Sequence, residues 1–344
     1  MSGRSSGGDT DDETRPERRQ GDLVPRPVWT GLTVMPRIQG LAAASIDTKR
    51  ARLCTVTNLH IKDGRQAGGE ITLWSLRTTE RILSSKLPVP ADGVVKHTLK
   101  LFYSGPVKSF IGVAASGLLW ACDHITLQPC GSLQAHDRQC LDVVLHINRQ
   151  ELICFFADGM VKVLRVSSSV TRDSVKMRNI TKTDFTVVRS WPSGIWCETC
   201  DIDEQTELLV AAAETGVYCW NLLTGAVVTK FENTHPSKVV SVHCYSARGE
   251  RRCATGGLAG EVKIWALKPE GLVKYLDFEA HKDAAVVSIC FELSQGTQYY
   301  YTVRRPVQLR DFHLYEVSFS LSFPCVSKCR AVRNDTLYTA SSIV

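Results

Sequence analysis

His136 in QAHDR and Asp158 in FADGM could work as a proton-transfer pair, with the carboxylate orienting the imidazole and accepting one ring N–H. Cys197-Glu198-Thr199-Cys200 has the spacing of a redox motif or half a metal site. Arginines gather at Arg248, Arg251 and Arg252, and again at Arg304, Arg305 and Arg310. Their planar guanidinium groups suit bidentate capture of carboxylates, so these clusters point to the acidic surface of a partner protein.

Each candidate also has a structural reading. Asp158 orienting His136 is equally a way to satisfy a histidine at the end of a repeated unit, and the repeat register below favours that role. The Cys-x-x-Cys stretch is expected in a strand, where residues three apart point to opposite faces. Its only companion spacing is Cys325 and Cys329, four apart, whereas zinc usually takes four ligands. No metal and no cofactor are therefore expected. The sequence contains no GxxxxGK[ST] phosphate loop, no GxSxG elbow and no HExxH, and no residue stands out as a nucleophile or general base.

The elements holding these residues are short β-type runs separated by Gly, Asn, Asp, Ser and Pro. From Val24 onward helical periodicity is scarce. In CATGGLAGEVKIW, residues 253–265, Val262 and Ile264 alternate with Glu261 and Lys263, the pattern of a strand with one buried face. The same stretch recurs. Aligned on the residue closing the third run of each unit, Trp74, Trp120, Leu164, Trp220, Trp265 and Arg310 are 46, 44, 56, 45 and 45 residues apart. The one long interval holds an insertion within Val166 to Gly194, rich in Ser, Thr, Lys and Arg, and a shorter one spans Asn58 to Gly69. Each unit has room for four strands; around Trp265 they are expected at Val239–Tyr245, Arg251–Gly256, Glu261–Ala266 and Leu272–Phe278. A small antiparallel sheet repeated every 40 to 45 residues is the pattern of a β-propeller blade, because one sheet cannot cover both its faces but radially packed neighbours can.

The unit ending at Trp265 resembles a WD repeat. Ala280-His281 and Ala135-His136 resemble the Gly-His pair that opens such repeats, with His235 in that role one blade earlier. Asp158-Gly159 resembles the turn Asp-Gly, and Trp220-Asn221 and Arg310-Asp311 resemble degenerate Trp-Asp pairs. The resemblance implies an all-β propeller of about seven four-stranded antiparallel blades. It also implies a buried hydrogen-bonded set of turn Asp, opening His, Ser or Thr, and Trp within each blade. No unit keeps all four: the fifth has His235, Thr255 and Trp265 but Ala259 in place of the Asp, and the third has His136 and Asp158 but Cys154 and Leu164. In that geometry Arg248, Arg251 and Arg252 lie on the bottom rim, and Arg304 and Arg305 on the top rim, at a turn between second and third strands.

Residues 1–22 mix acids and arginines with almost no apolar content and read as a disordered tail; residues 23–344 read as the propeller, six full units plus a partial seventh. In the seventh, Cys325–Arg333 and Thr336–Ser342 are expected as strands, with Arg26–Val34 as the closing strand. The polar N-terminus has no apolar core of a secretory signal, and no run approaches the roughly 20 apolar residues of a membrane span. The reading is a chain of the cytoplasm or nucleus, neither secreted nor inserted in a membrane, with its 13 cysteines as reduced thiols. A net charge of +6 is mild for 344 residues and argues against a dedicated nucleic-acid binder. The expected function is a non-enzymatic scaffold for protein–protein interaction, with no small-molecule substrate. The alternatives are a propeller enzyme using the central channel and a nucleic-acid or chromatin-associated propeller.

Overall fold

The computed structural model describes residues 41–320 except 58–59, 63–64, 68, 88–96, 174–177, 283, 295–296 and 307–315. The tail reading for 1–22, the closing strand Arg26–Val34 and the expected seventh-blade strands lie outside the described residues, as does Arg310.

The strands are antiparallel throughout and meander in groups of four, and the second strands of three sheets are buried along their whole length between neighbouring sheets. The first sheet holds β1 (Leu41–Asp47), β2 (Arg52–Thr57), β5 (Glu70–Ser75) and β6 (Arg81–Lys86). Between its second and third strands, β3 (His60–Lys62) and β4 (Arg65–Ala67) form a separate two-stranded hairpin, so the Asn58–Gly69 insertion is a connection and not part of the blade. The second sheet holds β7 (Thr98–Ser104), β8 (Ser109–Ala114), β9 (Leu118–Asp123) and β10 (Pro129–Gln134). The third holds β11 (Cys140–His146), β12 (Glu151–Phe156), β13 (Met160–Asp173) and β14 (Arg178–Pro192). The fourth holds β15 (Thr199–Asp203), β16 (Leu208–Ala213), β17 (Gly216–Asn221) and β18 (Val227–Phe231). The fifth holds β19 (Val239–Ala247), β20 (Glu250–Gly257), β21 (Glu261–Lys268) and β22 (Gly271–Glu279). The sixth shows β23 (Ala284–Ser294), β24 (Thr297–Pro306) and β25 (Glu316–Ser320). The fold is all-β, an array of propeller blades: five four-stranded sheets and a sixth of three described strands.

The core explains the array. Among the described residues it is divided into five apolar clusters, each held between consecutive sheets. The first joins Cys54, Ile71 and Leu73 of blade 1 to Phe110, Trp120 and Cys122 of blade 2, and the third joins Ile153, Phe155 and Val163 of blade 3 to Leu209, Ala211 and Trp220 of blade 4. In the fourth, Trp265 packs on Leu208, Val210, Val217 and Cys219 of the preceding blade. No sheet buries its faces alone, which is why the unit must repeat.

Polar links bind neighbouring inner strands as well. Lys100 Nζ reaches Asp142 Oδ1 at 2.7 Å and the Val143 carbonyl at 2.9 Å. Asp142 Oδ2 accepts the Cys200 N–H, and Asp201 Oδ2 accepts the Cys244 N–H, both at 2.8 Å. Ser241 Oγ donates to the Val286 carbonyl at 2.7 Å. From blade 2 to blade 6, each inner strand thus engages main-chain groups of the next.

The insertion expected within Val166 to Gly194 lengthens the last two strands of blade 3. β13 and β14 stay paired from Met160↔Pro192 out to Asp173↔Arg178, whereas β12 pairs with β13 only as far as Arg165. The extended part leans on blade 2. Thr183, almost wholly buried, hydrogen-bonds Ser109 Oγ at 3.0 Å and Cys130 Sγ at 3.2 Å. Gly131 permits the approach, since a Cβ there would meet the Thr183 carbonyl oxygen at 2.0 Å.

Candidate functional site

The register places Trp74, Leu164, Trp220 and Trp265 at one position of the third strand, opposite Leu53, Leu152, Leu209 and Cys253 of the second. Next to each of the four, the pairing with the outer strand shifts register. In blade 2 that position belongs to Cys122, opposite Phe110, and the shift falls beside it; Trp120 lies two residues earlier, opposite Gly112. The aligned Trp120 is therefore in the right strand at the wrong register. Its ring fills the space beside Gly112, where a Cβ would lie 2.0 Å from Cζ2.

The following residue repeats one function. Ser75 Oγ accepts from the Arg77 and Thr78 N–H groups, Asp123 Oδ1 from Ile125 and Thr126, and Asn221 Oδ1 from Leu223 and Thr224, at 2.8 to 3.3 Å. These Asx-type and Ser-type turns fix the hairpin to the outer strand. Trp74 is half-buried while Trp220 and Trp265 are buried. The register residue faces the preceding blade, and none precedes blade 1 among the described residues.

Two residues past the opposing position, the second strand offers Thr55, Gly112, Cys154, Ala211 and Thr255 in blades 1 to 5. In blade 5, Trp265 Nε1 donates to Thr255 Oγ1 at 2.9 Å, and Thr255 Oγ1 lies 2.8 Å from His235 Nε2. The other ring nitrogen, Nδ1, lies 3.3 Å from Glu261 Oε1, which also accepts from Ser237 Oγ at 2.6 Å. With a carboxylate at Nδ1, the chain of donors runs Trp265 to Thr255 to His235, and His235 to Glu261. The carboxylate missing at Ala259 is supplied by Glu261. Gly257 lets it in, since a Cβ there would sit 1.8 Å from Glu261 Oε1.

The other blades hold parts of this chain. Trp74 Nε1 donates to Thr55 Oγ1 at 2.8 Å, and His281 Nε2 meets Thr302 Oγ1 at 2.8 Å in blade 6. In blade 3, His136 Nε2 lies 2.7 Å from Asp158 Oδ2, its Nδ1 lies 3.2 Å from Asp137 Oδ1, and its ring meets Phe156 edge-on. Burial pushes the Asp158 carboxyl up, but the hydrogen bond from His136 and the Met160 N–H outweigh it and hold its pKa below the usual range. Nε2 is held by Asp158, while Nδ1 lies between the exposed Asp137 and the Lys162 ammonium, whose Nζ is 3.4 Å away, a bracing arrangement. In blade 4, Ala211 offers nothing to Trp220, whose buried Nε1 has no partner among the described residues.

The cysteine pair differs from expectation. β15 begins at Thr199, so Cys197 precedes the strand and the alternation expected for the pair does not apply. Both are buried, and burial raises both thiols, which disfavours the nucleophilic thiolate. Among the described residues no group of three or more His, Cys, Asp or Glu side chains is placed to hold a metal ion.

The first arginine cluster is engaged internally. Arg251 reaches Asp203 of blade 4 at 3.3 Å; Arg252, 6% exposed, pairs with Glu250 at 2.6 Å and lies over the Tyr275 ring at 4.1 Å. Arg304 and Arg305 stand just before Pro306, the last residue of β24, opposite Val286 and Ala285, and the connection that follows lies outside the described residues. The meander puts the second-to-third connections and the links between blades at one end of the array, and this end carries the β3–β4 hairpin and the Arg304–Arg305 end of β24. The inner-strand links from Lys100 to Val286 escaped the sequence reading because they join residues about 40 to 60 positions apart with no local signature.

No family model matches the sequence, and no curated protein matches it. Among solved structures, the chain is similar to the computationally designed Ika8 protein, at 15% identity and a TM-score of 0.51 over 76% of this chain and 67% of that one. It is similar to a chain of the Mitotic Checkpoint Complex at 17% identity and 0.51, over 76% and 73%. It is also similar to Saccharomyces cerevisiae Sqt1 at 12% identity and 0.56, over 77% and 69%. At these identities the likeness concerns fold alone. No helix among the described residues is long and apolar enough to cross a membrane.

Proposed function

We propose that the chain is a non-enzymatic scaffold of the WD-repeat kind, acting in the cytoplasm or nucleus, whose loops at the second-to-third-strand end bind protein partners. One observation carries the reading: the side chains able to do chemistry are occupied in bracing blades. His235, Thr255, Trp265 and Glu261 form one hydrogen-bonded chain, and His136 is held between the Asp158 carboxylate and the Lys162 ammonium. Beyond the lengthened strands of blade 3 and the differing braces, blades vary in their connections, as expected where loops on a rigid frame carry recognition. The β3–β4 hairpin is inserted in one such connection, and Arg304 and Arg305 close β24 at the same end. The arginines favour an acidic partner surface.

The test is affinity capture from native lysate with the wild-type chain and the Arg304→Glu/Arg305→Glu variant, both checked for equal thermal stability. Loss of a reproducible subset of partners is expected. An identical partner list would reject this surface.

A further inference from the structure

Trp196 is an exposed indole on a tethered loop. It lies in the link from blade 3 to blade 4 and is 52% exposed, although its neighbour Cys197 is buried and Ile195 packs on the apolar cluster between these blades. The loop is fastened on both sides. Ser193 donates its N–H and its Oγ to the Gly159 carbonyl at 2.7 and 2.8 Å, and the Glu198 N–H bonds the Ala212 carbonyl at 2.8 Å. No ring stacking or cation–π contact within the described residues uses the Trp196 indole. A large aromatic held outward on a fixed loop gives binding area at little ordering cost.

Its surroundings carry carboxylates. On one side the Gly159 tether sets the Asp158 turn against the loop, and on the other Glu198 follows two residues on. The side chain of Asp158 is 32% exposed and that of Glu198 20%. Asp158 already meets His136, and Glu198 meets Lys238 at 2.6 Å, but a carboxylate offers about four acceptor positions, so each retains capacity for another donor. Trp196 thus shares one loop cluster with two carboxylates, and that combination suits a guanidinium, which stacks on a ring and donates at its edges.

We propose that Trp196, with Asp158 and Glu198, is a docking site for an arginine side chain presented by an extended segment of a protein partner. This deepens the scaffold reading and rests on it. It adds a site of opposite charge preference to the Arg304–Arg305 surface, so the two fail independently.

The test is fluorescence anisotropy with three labelled peptides, (Gly-Arg)6, (Gly-Lys)6 and (Gly-Glu)6, titrated with the full chain. The chain is expected to bind (Gly-Arg)6 more tightly than (Gly-Lys)6, and (Gly-Glu)6 least. Trp196→Ala is expected to weaken (Gly-Arg)6 by about tenfold, the order for a tryptophan at the centre of an interface. Glu198→Gln is expected to weaken it by about threefold, and Leu223→Ala, an exposed apolar residue at the other end of blade 4, to leave it unchanged. Trp196 is exposed, so its variant should keep the wild-type melting temperature within the scatter of surface substitutions. Equal binding by Trp196→Ala and wild type, no binding of (Gly-Arg)6, or no preference for it over (Gly-Lys)6 would each overturn the proposal.

Discussion

Blades 4 and 5 are built to one plan and braced differently. Both bury a tryptophan at the same register, 1% exposed at Trp220 and 2% at Trp265, against the blade before. In blade 5 the indole N–H enters a chain through Thr255 and His235 to Glu261. In blade 4 the threonine position is Ala211, and the Trp220 N–H is buried without a partner among the described residues. Apolar packing alone is thus enough to seat a blade, and the polar chain is an addition that fixes one blade more firmly. A buried donor left unpaired costs about 1 to 3 kcal/mol, so the contrast is measurable.

The largest effect is expected from Thr255→Val, which keeps shape but strands both Trp265 Nε1 and His235 Nε2. The loss should be about 4 kcal/mol from two unpaired buried groups, read by denaturant unfolding; a loss under about 1 kcal/mol would mean that the chain contributes little.

Acid should strike blade 5 next. Burial pushes His235 down to about 4, with Lys263 and Lys274 in the same direction and Glu261 against it. The folded state therefore refuses a proton that the unfolded chain accepts near about 6.5. This contribution is complete above about pH 6.5 and is lost as pH falls toward 4, by about 3 kcal/mol in all. Stability measured from pH 7 to 4.5 should fall less steeply in His235→Gln; parallel curves would contradict the assignment.

A smaller contrast sets the two tryptophans against each other. Trp220→Phe and Trp265→Phe remove the same atoms, but only the second removes a made hydrogen bond, so it should cost about 1 kcal/mol more. Ala211→Ser should supply the missing acceptor and stabilise blade 4 by some tenths of a kcal/mol up to about 1. Equal costs for the two Phe variants would show that the Thr255 bond has no net worth.

Much of this was legible beforehand. The four strands expected around Trp265 match β19 to β22 to within about two residues, because alternation and turn residues coincide there. His235, Thr255 and Trp265 were found as a set for the same reason. Blade 2 departs because its tryptophan stands two residues before the repeat position; the equivalent marker is Cys122-Asp123 with Thr126, matching Trp220-Asn221 with Thr224. Glu261 was invisible at the Ala259 position because a longer side chain reaches back across the turn from the next strand. The long interval between Leu164 and Trp220 marked an insertion from Val166 onward, but not that its residues continue two existing strands. The arginines at 251 and 252 looked like a patch because their partners, Asp203 and the Tyr275 ring, are brought in only by the fold.

The claim that residues of catalytic type are braces in this molecule is tested most directly by a double-mutant cycle between Thr255→Val and Trp265→Phe in denaturant unfolding. Volume effects cancel in the cycle and leave the coupling between the two side chains. A coupling of about 1 kcal/mol or more is predicted; costs that add to within about 0.3 kcal/mol would contradict the account.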